Sequence, residues 1–150
     1  MFRPAKPAIP SRHLVAYVAV VDPRDGASLL VDHRAAGRWL PAGGHVEPGE
    51  HPSATARREA GEELGIVEAI FRDEHEGPVF VTVTETVGVG VGHTDVSLWF
   101  VLEVGRGVPR ATAPAEFRSI RWWTAAEIAA TDPCQFDPHF TRFVAMLGLA

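Results

Sequence analysis

The chain of 150 residues contains no asparagine, a single cysteine (Cys134), a single lysine (Lys6) and a single tyrosine (Tyr17). One cysteine excludes an intramolecular disulfide and any cysteine-based zinc cluster, so a reducing, cytoplasmic setting is expected. Long apolar runs are absent too: the longest, Leu14–Val21, falls far short of the ~20 residues that a membrane helix needs. The opening MFRPAKPAIPSRH holds three prolines and no apolar segment, so it is not expected to be a secretory signal. Positive charge is the scarcer sign, with 14 Lys and Arg against 19 Asp and Glu and a formal net charge of −5. That balance argues against a partner bound through a nucleic-acid backbone.

What is present fits one domain, since domains most often run to ~100–150 residues. Residues 1–12 read as an irregular lead-in and 13–150 as a single domain, a monomer or a homodimer. His13–Val21 and Ala27–Asp32 read as strands joined by the turn signals Asp22-Pro23 and Asp25-Gly26, hence as an antiparallel hairpin. Pro41–Gly49, dense in proline and glycine, reads as a loop. Pro52–Leu64 reads as a helix, with His51 as N-cap, Pro52 at the first position and Gly65 as the stop. Ala56, Ala60 and Leu64 form its buried stripe, and their small size lets it sit close to a sheet. Strands are expected at Val67–Arg72, Val79–Val87, Val96–Val104 and Phe117–Trp123. The alternation within Val79–Val87 predicts that one face is more buried than the other. Thr124 and Glu127 form a capping-box signature before a short helix, and Asp137-Pro138 opens a last helix through Leu147. This order suggests an α/β fold, a mixed sheet covered by helices on both faces.

The carboxylates are not evenly spread. Glu59, Glu62 and Glu63 stand at i, i+3 and i+4, within one ~100° sector of the predicted helix. They repel one another and oppose the helix dipole near its C-terminal end. Arg58, one turn before Glu62, offsets only part of this charge. A hard divalent ion with oxygen ligands, Mg²⁺ or Mn²⁺, would resolve the rest. The alternative is a solvated acidic face. Gly43-Gly44 before the helix lets backbone come close to a ligand, and Pro48-Gly49 constrains the intervening loop.

The segment Gly44–Ile66, GHVEPGEHPSATARREAGEELGI, resembles the Nudix box, G-x5-E-x7-R-E-U-x-E-E-x-G-U with U aliphatic. Gly44, Glu50, Arg58, Glu59, Glu62, Glu63, Gly65 and Ile66 match in identity and spacing, while Ala60 stands where the pattern prefers a larger aliphatic residue. The lead-in Trp39-Leu40-Pro41 and the Leu98-Trp99-Phe100 strand are similar to MutT-type Nudix domains as well. The resemblance implies an α/β/α sandwich hydrolase that cleaves a diphosphate linkage in a nucleoside diphosphate joined to another moiety X, through metal-activated water. It implies Glu59, Glu62, Glu63 and the Gly43 carbonyl as Mg²⁺ ligands (Mn²⁺ as substitute), with Arg58 and Glu50 paired. Glu116 resembles the distal acidic residue that completes the metal site. Glu59 is the first candidate for general base and Glu116 the second. A non-catalytic nucleotide-sensing module is the alternative function.

Substrate signals are mostly negative. The proline typical of ADP-ribose hydrolases about fifteen residues beyond the box is replaced by Val81-Thr82, with Pro78 slightly early. Diadenosine polyphosphate hydrolases tend to carry a tyrosine nearby, yet Tyr17 is the only one. MutT-type enzymes read an oxidised guanine partly with asparagine, which is missing here. Gln135 and Asp137 are candidate substitutes at the base, although Asp137 also reads as a helix N-cap. Arg38 and Trp39, just before the glycine loop, complete the candidate substrate contacts.

Overall fold

The computed structural model describes residues 12–68, 70–71, 77–86 and 93–148. Strand β1 (Arg12–Val21) organises the others. Its Val and Ala residues suit burial on both faces, and Val18, Ala19, Val20 and Val21 are all buried. It pairs antiparallel with β2 (Ser28–His33) and β4 (Ala42–His45), and parallel along its whole length with β7 (His93–Glu103). Against β2 lie β3 (Arg38–Leu40) and β8 (Phe117–Trp123), and against β7 lie β5 (Ile70–Phe71) and β6 (Phe80–Thr86). Together they make one mixed sheet of eight strands.

Helix α1 (Pro52–Leu64) covers one face, packing Ala56, Ala60 and Leu64 on Ala16, Val18 and Val20 of β1. The opposite face is covered by α2 (Ala125–Ala129), a 3-10 turn (Pro133–Gln135) and α3 (Phe140–Leu147). There Ala19 and Val21 meet Ile128, Phe136, Phe140 and Phe143, and Phe143 stacks on Trp99 at 4.6 Å between ring centroids. The result is the expected α/β/α sandwich. Each large apolar side chain fully buried in these layers contributes ~1.5–3 kcal/mol. Among the described residues no helix is long and apolar enough to cross a membrane.

Helix α1 has the predicted bounds. The His51 imidazole accepts from Ser53 N, and Gly65, with φ 66°, closes the helix in a left-handed cap. Residues 124–129 form the predicted capping box and short helix. Four expectations are corrected. Pro41–Gly49 is not all loop, because Ala42–His45 pairs with β1 as β4. Glycine there serves close approach: a Cβ on Gly43 would lie 2.2 Å from the Ala16 carbonyl oxygen. Of Val67–Arg72, Ile70–Phe71 pairs with Glu103 and Leu102 of β7, while Ala69 lies outside the described residues. Val67 is exposed, and Arg72 lies outside the described residues, as does Val87 of the next expected strand. Strand β7 starts earlier than Val96 and ends at Glu103. Finally, α3 begins at Phe140 rather than after Asp137. The Asp137 carboxylate accepts from His139 N at 2.7 Å in a turn before the helix.

The alternation of β6 is real, but its buried face is not the valine face. Val81 and Val83 are more than half exposed, at 53% and 58%, while Thr82 is buried at 3%. The reason is a hydrogen bond, Trp99 Nε1–H to Thr82 Oγ1 at 2.9 Å, which satisfies an indole inside the core. Replacing Thr82 by Val therefore adds apolar surface yet leaves that indole N–H unpaired, and is expected to cost ~1–3 kcal/mol. The exposed exchange Val83→Thr is expected to stay within ~0.5 kcal/mol in urea titrations of both variants.

Candidate active site

The site grows from the inner face of α1. Thr55, Glu59 and Glu63 are buried along with the alanine stripe, so carboxylates share the surface that packs toward β4. Arg58 is their hub. Its Nε and Nη2 donate to the two oxygens of Glu50 at 2.9 and 3.0 Å, in the two-pronged geometry that suits guanidinium and carboxylate. Its Nη1 donates to Glu59 at 2.8 Å and to Glu62 at 3.4 Å. Thr55 Oγ1 donates to Glu50 at 2.7 Å. The Arg58 guanidinium, then Thr55, holds the Glu50 carboxyl down to about 2, and Glu50 in turn raises Arg58.

Glu63 has a different environment. Burial, then a hydrogen bond shared with Glu116, pushes its carboxyl up to about 9, against the pull of the Gly43 N–H. That N–H donates to Glu63 Oε1 at 3.0 Å, so the group of Gly43 seen facing the helix is its amide. Glu59 is also raised, first by burial, and is hydrogen-bonded to Glu63. Gly44 lies against Glu59: a Cβ there would come within 2.8 Å of the carboxyl carbon. Glu62 is exposed, and so is Glu116 in the segment before β8. Gly65 belongs to the helix end rather than to the carboxyl cluster.

Glu59, Glu63 and Glu116 thus form a hydrogen-bonded file of carboxyls, Glu63 in the middle. Among the described residues no three acidic, imidazole or thiol groups are spaced to cage an ion as they stand. The carboxyls are instead turned to Arg58, to Gly43 and to one another. Their chemistry still suits a hard divalent cation: oxygen donors only, with the Glu59 and Glu63 carboxyls both raised by burial.

The other candidates assemble elsewhere. Arg38 is exposed at the start of β3, and Trp39 packs edge-on against Trp123 at 5.4 Å and bridges to Phe136. Gln135 is exposed, whereas Asp137 is buried at 6% and accepts from the Tyr17 hydroxyl at 3.3 Å. Burial raises the Asp137 carboxyl and, helped by Asp137 and Asp95, the Tyr17 hydroxyl. A cavity of about 290 Å³ reaches from Tyr17 to Glu63, and Arg38, Trp39, Gln135 and Asp137 are not in its lining. Tyr17, His33, His45 and Asp95 line it, together with Gly43, Gly44 and Glu63. Tyr17, His33 and Asp95 were not among the residues expected from sequence. A lone polar residue within the apolar run Leu14–Val21 was the available signal for Tyr17. The placement of Asp95 depends on the parallel register of β1 and β7, which no local pattern encodes.

Comparison with known proteins gives the family. The NUDIX domain family matches residues 11–143, and the chain belongs to the Nudix hydrolase family. An uncharacterized Nudix hydrolase of Rhodococcus erythropolis, orf19, is 35% identical over 92 residues, 59% of this chain and 47% of that protein. The chain thus spans about half the length of that relative. A MutT NUDIX hydrolase of Burkholderia pseudomallei superposes with a TM-score of 0.56 at 25% identity, over 75% of this chain and 82% of its own. A NUDIX-family hydrolase of Clostridium perfringens shares the fold with a TM-score of 0.68 at 20% identity, over 92% and 97% of the two chains.

Glu50 and Glu63 give opposite pH slopes. Glu50 is depressed, so its contribution is present above the unfolded carboxyl value and is lost as pH falls toward about 2. Glu63 is raised, so the folded protein holds a proton that the unfolded chain releases. Its contribution is complete below the unfolded value and is lost as pH rises toward about 9. In EDTA the melting temperature is therefore expected to fall from mildly acidic to alkaline pH. Glu63→Gln is expected to flatten that alkaline slope in thermal scans, leaving the acid limb in place.

Proposed function

We propose that this chain hydrolyses a diphosphate linkage in a nucleoside diphosphate joined to a further moiety, a nucleoside triphosphate or another nucleotide derivative, with Mg²⁺ as cofactor and Mn²⁺ as substitute. The observation that carries this reading is the carboxyl file Glu59–Glu63–Glu116 against the Gly43 amide, anchored by Arg58. Glu59, Glu62, Glu63 and Glu116, with the Gly43 carbonyl, would hold the ion. Bound there, a divalent ion neutralises the charge of the diphosphate and acidifies water.

The chain's own residues supply the rest. Arg58 holds Glu50 and so fixes the loop against α1 while its third nitrogen keeps Glu59 in place. Glu59, in the buried part of the file, is the proposed base that takes the proton of the attacking water, with Glu116 as second candidate. The cavity leads away from this end toward Tyr17 and Asp137. The Tyr17 end of the cavity is the proposed seat of the base or of X, with Arg38, Trp39 and Gln135 as further proposed contacts. An exposed thiol at Cys134 fits the proposed cytoplasmic setting.

A panel of nucleoside triphosphates, dinucleotides and nucleotide sugars, read by release of phosphate or of nucleoside monophosphate, tests the reading. With Mg²⁺ or Mn²⁺ at least one class is expected to turn over, and Glu63→Gln to lose ~10²–10⁴-fold in kcat. Failure of every class, or a Glu63→Gln variant as fast as the parent protein, would overturn it.

A further inference from the structure

Helix α1 ends in a way that bears on Glu116. Ile66 N–H donates to Ala60 O and Gly65 N–H to Gly61 O, the paired bonds that close a helix through a left-handed glycine. The next three carbonyls, of Glu62, Glu63 and Leu64, would remain without helical donors. All three are taken by one strap, the segment between β7 and β8. Arg110 N–H donates to Leu64 O at 3.0 Å and Thr112 N–H to Glu63 O at 3.1 Å, while Thr112 Oγ1–H donates to Glu62 O. Thr112 thus grips the backbone of two residues whose side chains belong to the acidic face.

Four residues on, the same strap carries Glu116. A second anchor holds it there: Arg34 donates from Nε to Pro114 O at 3.0 Å and from its backbone N–H to Glu116 O at 2.8 Å. Between the anchors, Glu116 N–H and Phe117 N–H both turn back to Ala113 O. An exposed glutamate outside regular structure is in this way fixed at both sides, and its carboxyl meets Glu63.

We propose that Thr112 and Arg34 are positioning residues that set Glu116 beside Glu63 and so complete the cation-binding group of α1. This rests on the metal-dependent reading above. Thr112 ties the strap to the helix end, Arg34 ties it to the turn between β2 and β3, and Glu116 is the group they deliver. The side-chain bonds of Thr112 and Arg34 act on the same carboxylate, so loss of either weakens what Glu116 contributes.

Mn²⁺ alone is the probe, titrated against the full chain by the paramagnetic resonance of the free ion, beside kcat, KM and melting in EDTA. Thr112→Val and Arg34→Ala are each expected to weaken Mn²⁺ binding by about tenfold and to lower kcat with KM little changed. Thr112→Ser, which keeps the hydroxyl, restores both. In a Glu116→Gln background Thr112→Val is expected to add no further loss, because both changes remove the same contribution. The proposal is overturned if Thr112→Val and Arg34→Ala bind Mn²⁺ like the parent protein, if Glu116→Gln is silent, or if the two losses multiply. A parent protein that neither binds Mn²⁺ nor turns over any substrate overturns the metal reading itself, a different result from a silent variant of a working parent.

Discussion

A carboxylate withdrawn from water must find a positive charge, a hydrogen-bond donor or a proton, and α1 withdraws Glu59 and Glu63 together. Arg58 can serve only part of that need. Its two-pronged bond to Glu50 uses Nε and Nη2, which leaves Nη1 for Glu59 and, at longer range, Glu62. Among the described residues Glu63 receives no guanidinium; the Gly43 amide donates to it, and burial with Glu116 raises its carboxyl. The helix therefore holds its acidic face in a state that a divalent cation would improve. Stability that a buried ion pair would not supply on its own is here drawn from the alanine stripe, which packs on β1 independently of the charges.

That requirement reaches into the backbone. Glu63 meets an amide only because β4 runs directly beside β1, and β4 can run there only because Gly43 lacks a Cβ. Gly44 has the same reason on the other side, where the Glu59 carboxyl occupies the space a side chain would take. The two glycines are thus parts of the carboxylate site and of the sheet at once. A segment that composition marks as loop becomes a strand because its lack of side chains permits two backbones and a carboxyl to converge.

Helix α1 was legible to the residue because each of its signals is local: an imidazole cap, Pro52, a period of four and a glycine stop. The Arg58–Glu50 pair followed from the spacing of the family motif. The buried face of β6 was not legible, since Thr82 is chosen over Val81 and Val83 by an indole on a neighbouring strand. The start of α3 failed for a related reason: Asp137 spends its side chain on a local turn and on Tyr17 rather than on the helix. In each case the deciding partner lies far off in sequence. Glu116 is intermediate, found through resemblance but held in place by contacts from Arg34 and from the strap.

The two ends of the cavity differ in the same respect. Its acidic end is written into a single helix, where i, i+3 and i+4 spacing forces three carboxylates onto one face. Its other end is collected from distant strands: Tyr17 from β1, Asp95 from β7 and His33 from β2, with Asp137 reaching Tyr17 from behind. Burial raises Tyr17 and Asp137 alike, and among the described residues no lysine or arginine lines this end. In the proposed reading a diphosphate would sit at the end where cations are wanted, and the rest of the nucleotide would extend toward the other. The missing asparagine removes one way of reading a base, and the tyrosine–aspartate pair would supply a different one, built on the single tyrosine of the sequence.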